Sequence, residues 1–105
     1  MKYKTLLNYL KKYHYGADKA ASSGVLEVAF AITGREIRTA INALRCGGEP
    51  ICSDENGYYY AVKEQELKQS IQQLDSRIGQ IERAKKGLEK ALPIYSNQNG
   101  GSTWN

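Results

Sequence analysis

The sequence is poor in the residues that most enzymes need at their active sites. Its 105 residues include one histidine, one tryptophan and one phenylalanine. No nucleophile or carboxylate is paired with His14 in the sequence, and no glycine-rich phosphate-binding loop is present. We therefore predict that the protein is not an enzyme and that it needs no cofactor.

Cysteine is also scarce, and the spacing of the two cysteines does not suit zinc. Cys46 and Cys52 are separated by five residues, whereas zinc knuckles usually place about two to four residues between their ligands. His14 would add only one further ligand. We predict no metal site and expect both cysteines to be reduced and unpaired.

Long apolar runs are absent, and lysines interrupt the N-terminal segment M-K-Y-K-T-L-L-N-Y-L-K-K. This pattern predicts neither a membrane span nor a signal peptide, so we expect a cytoplasmic protein that does not bind a membrane. The net charge is +4, with nine basic and six acidic residues up to Lys63. A basic excess in this part of the chain favours a polyanionic partner.

Two helices are predicted before residue 33. Leucines and tyrosines recur at helical spacing near the N-terminus and indicate a helix buried along Tyr3, Leu6, Leu7, Leu10 and Tyr13. A short apolar helix follows Ser22 and Ser23, and a tight turn at Ala31 and Ile32 leads out of it. This order is typical of a helix-turn-helix unit, whose next helix would contact DNA.

The next helix begins with a strong local signal. Thr33 and Glu36 form the T-x-x-E pattern of a capping box, which fixes a helix start. Ile37, Ile41 and Leu44 then make one apolar stripe that must face a core. The opposite side carries Arg35, Arg38, Thr39, Asn42 and Cys46.

Four side chains on that exposed side are chemically suited to reading DNA bases. Arginine can donate two hydrogen bonds to guanine, asparagine can pair with adenine, and the threonine methyl can contact thymine. We therefore assign base readout to Arg35, Arg38, Thr39 and Asn42. The alternative is an ordinary solvated polar face.

A short hairpin is predicted after this helix. Gly47 and Gly48 are suited to the helix end. Residues 50–53 and 58–62 are predicted strands, and Asn56 with Gly57 suits a type I′ turn between them. Such a hairpin would form a wing beside the DNA-contacting helix.

At this point the chain resembles a known family. The order R-x-I-R-x-x-I-x-x-L-R, then G-x-P-I-x-S, a turn and G-Y-Y, is similar to winged helix-turn-helix domains of the deoxyribose-operon and biotin-operon repressor class. This class includes short versions common in bacteria and their phages. The resemblance runs from about residue 1 to residue 62 and is carried by Arg35, Ile37, Arg38, Ile41, Leu44, Arg45, Pro50, Ile51, Ser53, Gly57 and Tyr58. It implies a DNA-binding domain. This chain has Thr39 and Ala40 where members of the class often carry charges, which leaves fewer phosphate contacts.

Further residues are predicted to contact the DNA backbone. Lys19 and Ser23 lie where the backbone N–H groups of a helix start could hold a phosphate. Arg45 and the predicted turn residues Asn56 and Gly57 would position the backbone from the helix end and the wing.

A heptad pattern follows from Glu64 to Pro93. Apolar residues alternate by three and four positions and define a seam, with one lysine among them. The arrangement favours a parallel homodimer through Leu67, Ile71, Leu74, Ile78, Ile81, Lys85, Leu88 and Leu92. The alternative is a helix that folds back onto its own domain.

Together these patterns predict a mainly α fold with a small β-hairpin, in the form of a winged helix-turn-helix followed by a long C-terminal helix. We predict a winged-helix domain over residues 1–63, a dimerisation helix over 64–93 and a disordered tail over 94–105. The expected function is sequence-specific transcriptional regulation by a dimer bound to double-stranded DNA. The alternatives are a phage-type replication or packaging accessory protein and a winged helix that serves only as a protein-interaction adaptor.

Overall fold

A computed structural model describes residues 3–96 of the protein. Its elements are four α-helices, a short 3-10 helix at Ala17–Lys19, and two strands. The bounds are α1 Tyr3–Tyr13, α2 Ser23–Phe30, α3 Gly34–Cys46, β1 Ile51–Asp54, β2 Gly57–Tyr60 and α4 Glu64–Ser96. The prediction of a mainly helical fold with a small hairpin and a long C-terminal helix is confirmed. The chain divides into one compact unit up to Ile71 and a second unit from Gln72 onward.

The core of the first unit forms where α1, α2, α3 and the hairpin meet. Leucines of α1 and isoleucines of α3 are buried there together with Leu26 of α2. Burying one such side chain stabilises the fold by about 1.5–3 kcal/mol relative to leaving it in water. Two residues predicted for this face, Tyr3 and Tyr13, are instead exposed, because they lie at the two ends of α1, beyond its buried leucines.

The turn between α2 and α3 uses an unusual residue. Ala31 adopts the left-handed conformation with φ 54° and ψ 45°. The Ile32 nitrogen then donates a hydrogen bond to the Glu27 carbonyl oxygen at 3.2 Å. This closure ends α2 and redirects the chain into α3 within three residues. Alanine is disfavoured in that conformation, so the turn carries strain that glycine would relieve.

The hairpin pairs β1 with β2 in antiparallel register, with Ile51 opposite Tyr60 and Asp54 opposite Gly57. The strands differ from the predicted ones at both ends. The paired segments are 51–54 and 57–60 rather than 50–53 and 58–62, because Pro50 has no N–H to donate and the chain leaves β2 after Tyr60 to enter α4. Burial raises the pKa of Tyr59 in β2 to about 12.

The second strand is also bound on its other edge. Tyr58 and Ala21 exchange two backbone hydrogen bonds, each of 2.8 Å. Tyr60 donates from its backbone nitrogen to the His14 carbonyl oxygen at 2.8 Å and accepts from the Gly16 nitrogen at 2.9 Å. The segment between α1 and α2 therefore holds β2 at both ends. This support explains how a two-stranded hairpin can be stable here.

The long helix α4 begins at Glu64, as predicted, and its first two turns belong to the first unit. The Glu66 carboxylate accepts backbone hydrogen bonds from Ala17 at 3.0 Å, Val62 at 2.8 Å and Lys63 at 3.1 Å. These hydrogen bonds lower the pKa of Glu66. Ser70, which is buried, accepts from the Ser53 nitrogen at 3.4 Å. With these contacts, the first compact unit extends to residue 71, whereas the sequence predicts a boundary at residue 63.

The end of α4 also differs from the prediction. The helix continues through Pro93 to Ser96, so residues 94–96 are helical and the predicted tail does not begin at Ile94. A proline removes one backbone donor and disfavours helical geometry before it, but this position is close enough to the helix end for the last turn to persist. The rest of the predicted tail, residues 97–105, lies outside the described residues.

Candidate nucleic-acid interface

The start of α3 is fixed by the capping box that the sequence predicts. The Glu36 nitrogen donates to the Thr33 hydroxyl oxygen at 3.1 Å, and the Thr33 nitrogen donates to the Glu36 carboxylate at 3.0 Å. The Thr33 nitrogen and the Thr33 hydroxyl, which is 3.1 Å from the carboxylate, both donate to Glu36 and lower the pKa of that carboxyl. The reciprocal pair satisfies donors that the first helical turn would otherwise leave unpaired. It therefore sets the rotational position of every following side chain on α3.

Four predicted base-contacting residues share one side of this helix. Ile37, Ala40 and Ile41 are buried on the core side, and the other side exposes a set that we call the reading face: Arg35, Arg38, Thr39 and Asn42. Within residues 3–96, none of these four side chains has a hydrogen-bonding or ion-pairing partner. The reading face therefore presents unpaired donors and two positive charges to solvent.

A cleft of about 240 Å³ opens beside the reading face. It is lined by Arg35, Glu36 and Thr39 from α3, by Ile32 before it and by Tyr3 from α1. The sequence pattern predicts that Tyr3 is buried, because its spacing from Leu6 and Leu10 fits one side of a helix. The structure instead adds an aromatic side chain to the surface next to Arg35.

Arg45 does not belong to the reading face. Its Nε donates to the Ile51 carbonyl oxygen at 2.7 Å, and its Nη2 donates to the Ser53 hydroxyl at 3.2 Å. The partly buried guanidinium thus connects the end of α3 to β1. Because two of its nitrogens are bound within the fold, Arg45 is better explained as the residue that orients the hairpin than as a phosphate contact.

The hairpin turn differs from the prediction. Glu55 and Asn56 occupy its central positions, and Ala31 is the sole non-glycine residue with positive φ in the described part of the chain. A type I′ turn requires positive φ at both central positions, so the prediction of that turn is wrong. The Asp54 side chain caps the observed turn, because its carboxylate accepts a hydrogen bond from the Asn56 nitrogen at 2.8 Å.

The charge at this turn is unfavourable for a phosphate contact. Asp54 and Glu55 place two carboxylates next to Asn56, and like charges repel. Gly57 lies in β2 against the backbone of Ala21 and Ser22 rather than at the tip. We therefore do not retain Asn56 and Gly57 as DNA-backbone contacts.

The start of α2 is largely satisfied by its own residues. The Ser22 hydroxyl accepts from the Val25 nitrogen at 3.2 Å, and the Ser23 hydroxyl donates to the Glu27 carboxylate at 3.0 Å. A phosphate at Ser23 would approach that carboxylate. Lys19 is exposed and has no ion pair among the residues described, so it is the predicted backbone contact that the geometry leaves available.

The heptad seam of α4 is exposed from Ile71 onward. Ile71, Ile78, Ile81 and Leu88 each expose more than half of their surface, and Leu74 and Leu92 expose 38% and 47%. Leu67, at the start of the seam, is half-buried in the first unit. Cys46 and Cys52 are both free, the first exposed and the second buried.

We compared the chain with protein-family models, with curated proteins and with solved structures, and none of them matches it. Between residues 3 and 96, no helix is both long and apolar enough to cross a membrane.

Proposed function

We propose that the protein binds double-stranded DNA and reads its sequence with α3, acting as a transcriptional regulator. The observation that carries this proposal is the reading face, on which four side chains able to recognise bases lie together without any internal partner. The two-helix unit formed by α2 and α3, followed by a hairpin, supports the assignment of a winged helix-turn-helix. Lys19 would add one phosphate contact.

We further propose that the protein acts as a homodimer through α4. A single exposed helix whose seam is apolar except at Lys85 gains stability by burying that seam against a second copy. With Ile71 and Ile78 at the first seam position and Leu67 and Leu74 at the second, the pattern favours a parallel pair. A dimer of this kind would recognise a two-fold symmetric DNA site.

Selection of bound duplexes from a random DNA pool tests the proposal and supplies the site. On the selected site, Arg35→Ala and Asn42→Ala should each weaken binding by about 1–3 kcal/mol and change nonspecific binding little. Arg83→Ala is the matched control, because it removes the same charge from an exposed position on α4. Equal losses in all three variants would contradict base readout by α3.

Lys19→Ala should weaken binding to all sequences alike and lower the slope of log affinity against log salt by about one. This result would separate a phosphate contact from a base contact.

One observation favours a second function, that of a protein-interaction adaptor. The carboxylates of Asp54 and Glu55 at the hairpin turn would repel DNA and would suit a basic protein surface. A folded protein that binds no duplex at about 50 mM salt, where electrostatic binding is strong, would support the adaptor instead.

A further inference from the structure

Tyrosine is unusually frequent in this chain, which has eight tyrosines and one phenylalanine. Two of them come together away from α3. The rings of Tyr15 and Tyr60 have centroids 6.0 Å apart and planes inclined by 34°. The Lys11 ammonium lies over the ring of Tyr60, 5.4 Å from its centroid. We call Lys11, Tyr15 and Tyr60 the tyrosine platform.

The backbone that carries the platform is held in place. The Gly16 nitrogen donates to the Tyr60 carbonyl oxygen, and the Tyr60 nitrogen donates to the His14 carbonyl oxygen. Gly16 is buried and adopts φ 102°, a conformation that favours glycine. Both rings therefore stand on backbone that is already ordered, and a ligand that stacks on them orders little further chain.

The platform is accessible at Tyr15 and Lys11, whereas Tyr60 is half-buried against the core. Tyr15 exposes 50% of its surface, and Lys11 is exposed. In the described chain Lys11 has no carboxylate partner within ion-pairing distance. The Glu66 carboxylate, which is in the same unit, is occupied by three backbone N–H groups. The positive charge of Lys11 is thus free to attract an anion.

An exposed aromatic ring beside a cation matches one class of ligand closely. Unpaired bases stack on aromatic side chains while a neighbouring cation attracts the phosphate, and this combination is used to bind single strands without sequence preference. A duplex cannot use the platform in this way, because its bases are already stacked on one another. A purely apolar partner would form no favourable interaction with the charge of Lys11.

We propose that the tyrosine platform binds single-stranded nucleic acid, with an unpaired base on the exposed ring of Tyr15, which Tyr60 supports, and a phosphate beside Lys11. This surface consists of the end of α1, the residues after it and the end of β2, and it shares no residue with the reading face. The protein would then hold a single strand independently of its duplex contact. That property suits action where a duplex opens.

Fluorescence anisotropy of labelled oligo-dT and oligo-rU, with a hairpin duplex measured in parallel, tests this proposal with the full chain. Tyr15→Leu should lower single-strand affinity about 5- to 150-fold, the effect of losing one stacked base. Tyr15→Phe, which keeps the aromatic face, should retain most of the affinity. Lys11→Gln should weaken binding and lower its salt dependence.

Tyr13→Leu is the matched control. Tyr13 is 53% exposed and has the Lys12 ammonium 5.2 Å from its ring centroid, but its ring neighbour is Tyr9 rather than the platform. Circular dichroism of each variant establishes that it is folded. A folded wild type that binds neither oligonucleotide at about 100 μM protein and low salt overturns the proposal. Equal losses in Tyr13→Leu and Tyr15→Leu overturn it as well. The hairpin duplex measured in parallel reports on the duplex proposal, so failure of that proposal is detected separately from loss of single-strand binding.

Discussion

Replacing Gly57 by alanine should destabilise the first unit strongly. Gly57 has φ 133°, a conformation that L side chains rarely adopt. A Cβ at this position would overlap the carbonyl group of Ala21 and lie 2.7 Å from the Ser22 nitrogen. All three atoms belong to the backbone, so they cannot move aside as a flexible side chain would. The strand β2 would have to move away from Ala21.

Two contributions set the expected loss of unfolding free energy in Gly57→Ala. The strained backbone conformation costs about 1–3 kcal/mol. Separating β2 from Ala21 also breaks the two hydrogen bonds between Tyr58 and Ala21, each worth about 0.5–1.5 kcal/mol. The total of about 2–6 kcal/mol is a large fraction of the roughly 4–11 kcal/mol expected for a unit of this size.

Gly48 supplies the matched control. It has φ 94°, but a Cβ added there meets no atom within 4 Å, so Gly48→Ala should cost only the backbone strain of about 1–3 kcal/mol. Urea unfolding of both variants and the wild type, followed by circular dichroism, measures the difference. If Gly57→Ala loses no more stability than Gly48→Ala, the close approach of the Ala21 backbone to Gly57 is contradicted.

Three further perturbations test other parts of the structure. Hydrogen bonds lower the folded-state pKa of Glu66, so its stabilisation is present above pH 4.5 and is lost as the pH falls through the folded-state value. Glu66→Gln should therefore lower the melting temperature at neutral pH and reduce acid sensitivity, whereas Glu64→Gln, which removes only an exposed ion pair with Lys68, should do neither. Ala31→Gly should stabilise the protein by about 1 kcal/mol because it removes the strain of a left-handed alanine. A lower unfolding free energy in urea would contradict the left-handed conformation of Ala31. Ile78→Lys should dissociate the dimer in sedimentation, and Lys85→Ile should tighten it; a wild type that stays monomeric at about 100 μM, a concentration that populates even weak complexes, contradicts the dimer.

Features that depend on neighbouring residues were predictable from the sequence. The capping box of Thr33 and Glu36 joins residues three positions apart, so its pattern can be recognised without a fold. The exposed side of α3 follows from helical periodicity once Ile37 and Ile41 are assigned to the core. The start of α4 and its heptad seam are periodic in the same way. Each of these features is set by the geometry of a single helix.

Tertiary structure decided the features that join distant segments. Arg45 donates hydrogen bonds to β1 because the hairpin returns to the end of α3, and Tyr15 contacts Tyr60 because the segment after α1 pairs with β2. A glycine is required at position 57 because the Ala21 backbone approaches it closely. No local pattern encodes the contacts of Tyr15 with Tyr60 and of Gly57 with Ala21, since both depend on backbone edges that pair across 30 or more residues of chain. The sequence alone thus determined the starts of α3 and α4 and the exposed side of α3, because these follow from the geometry of one helix, whereas the pairing of β2 with the segment before α2 determined where Tyr15 and Gly57 lie.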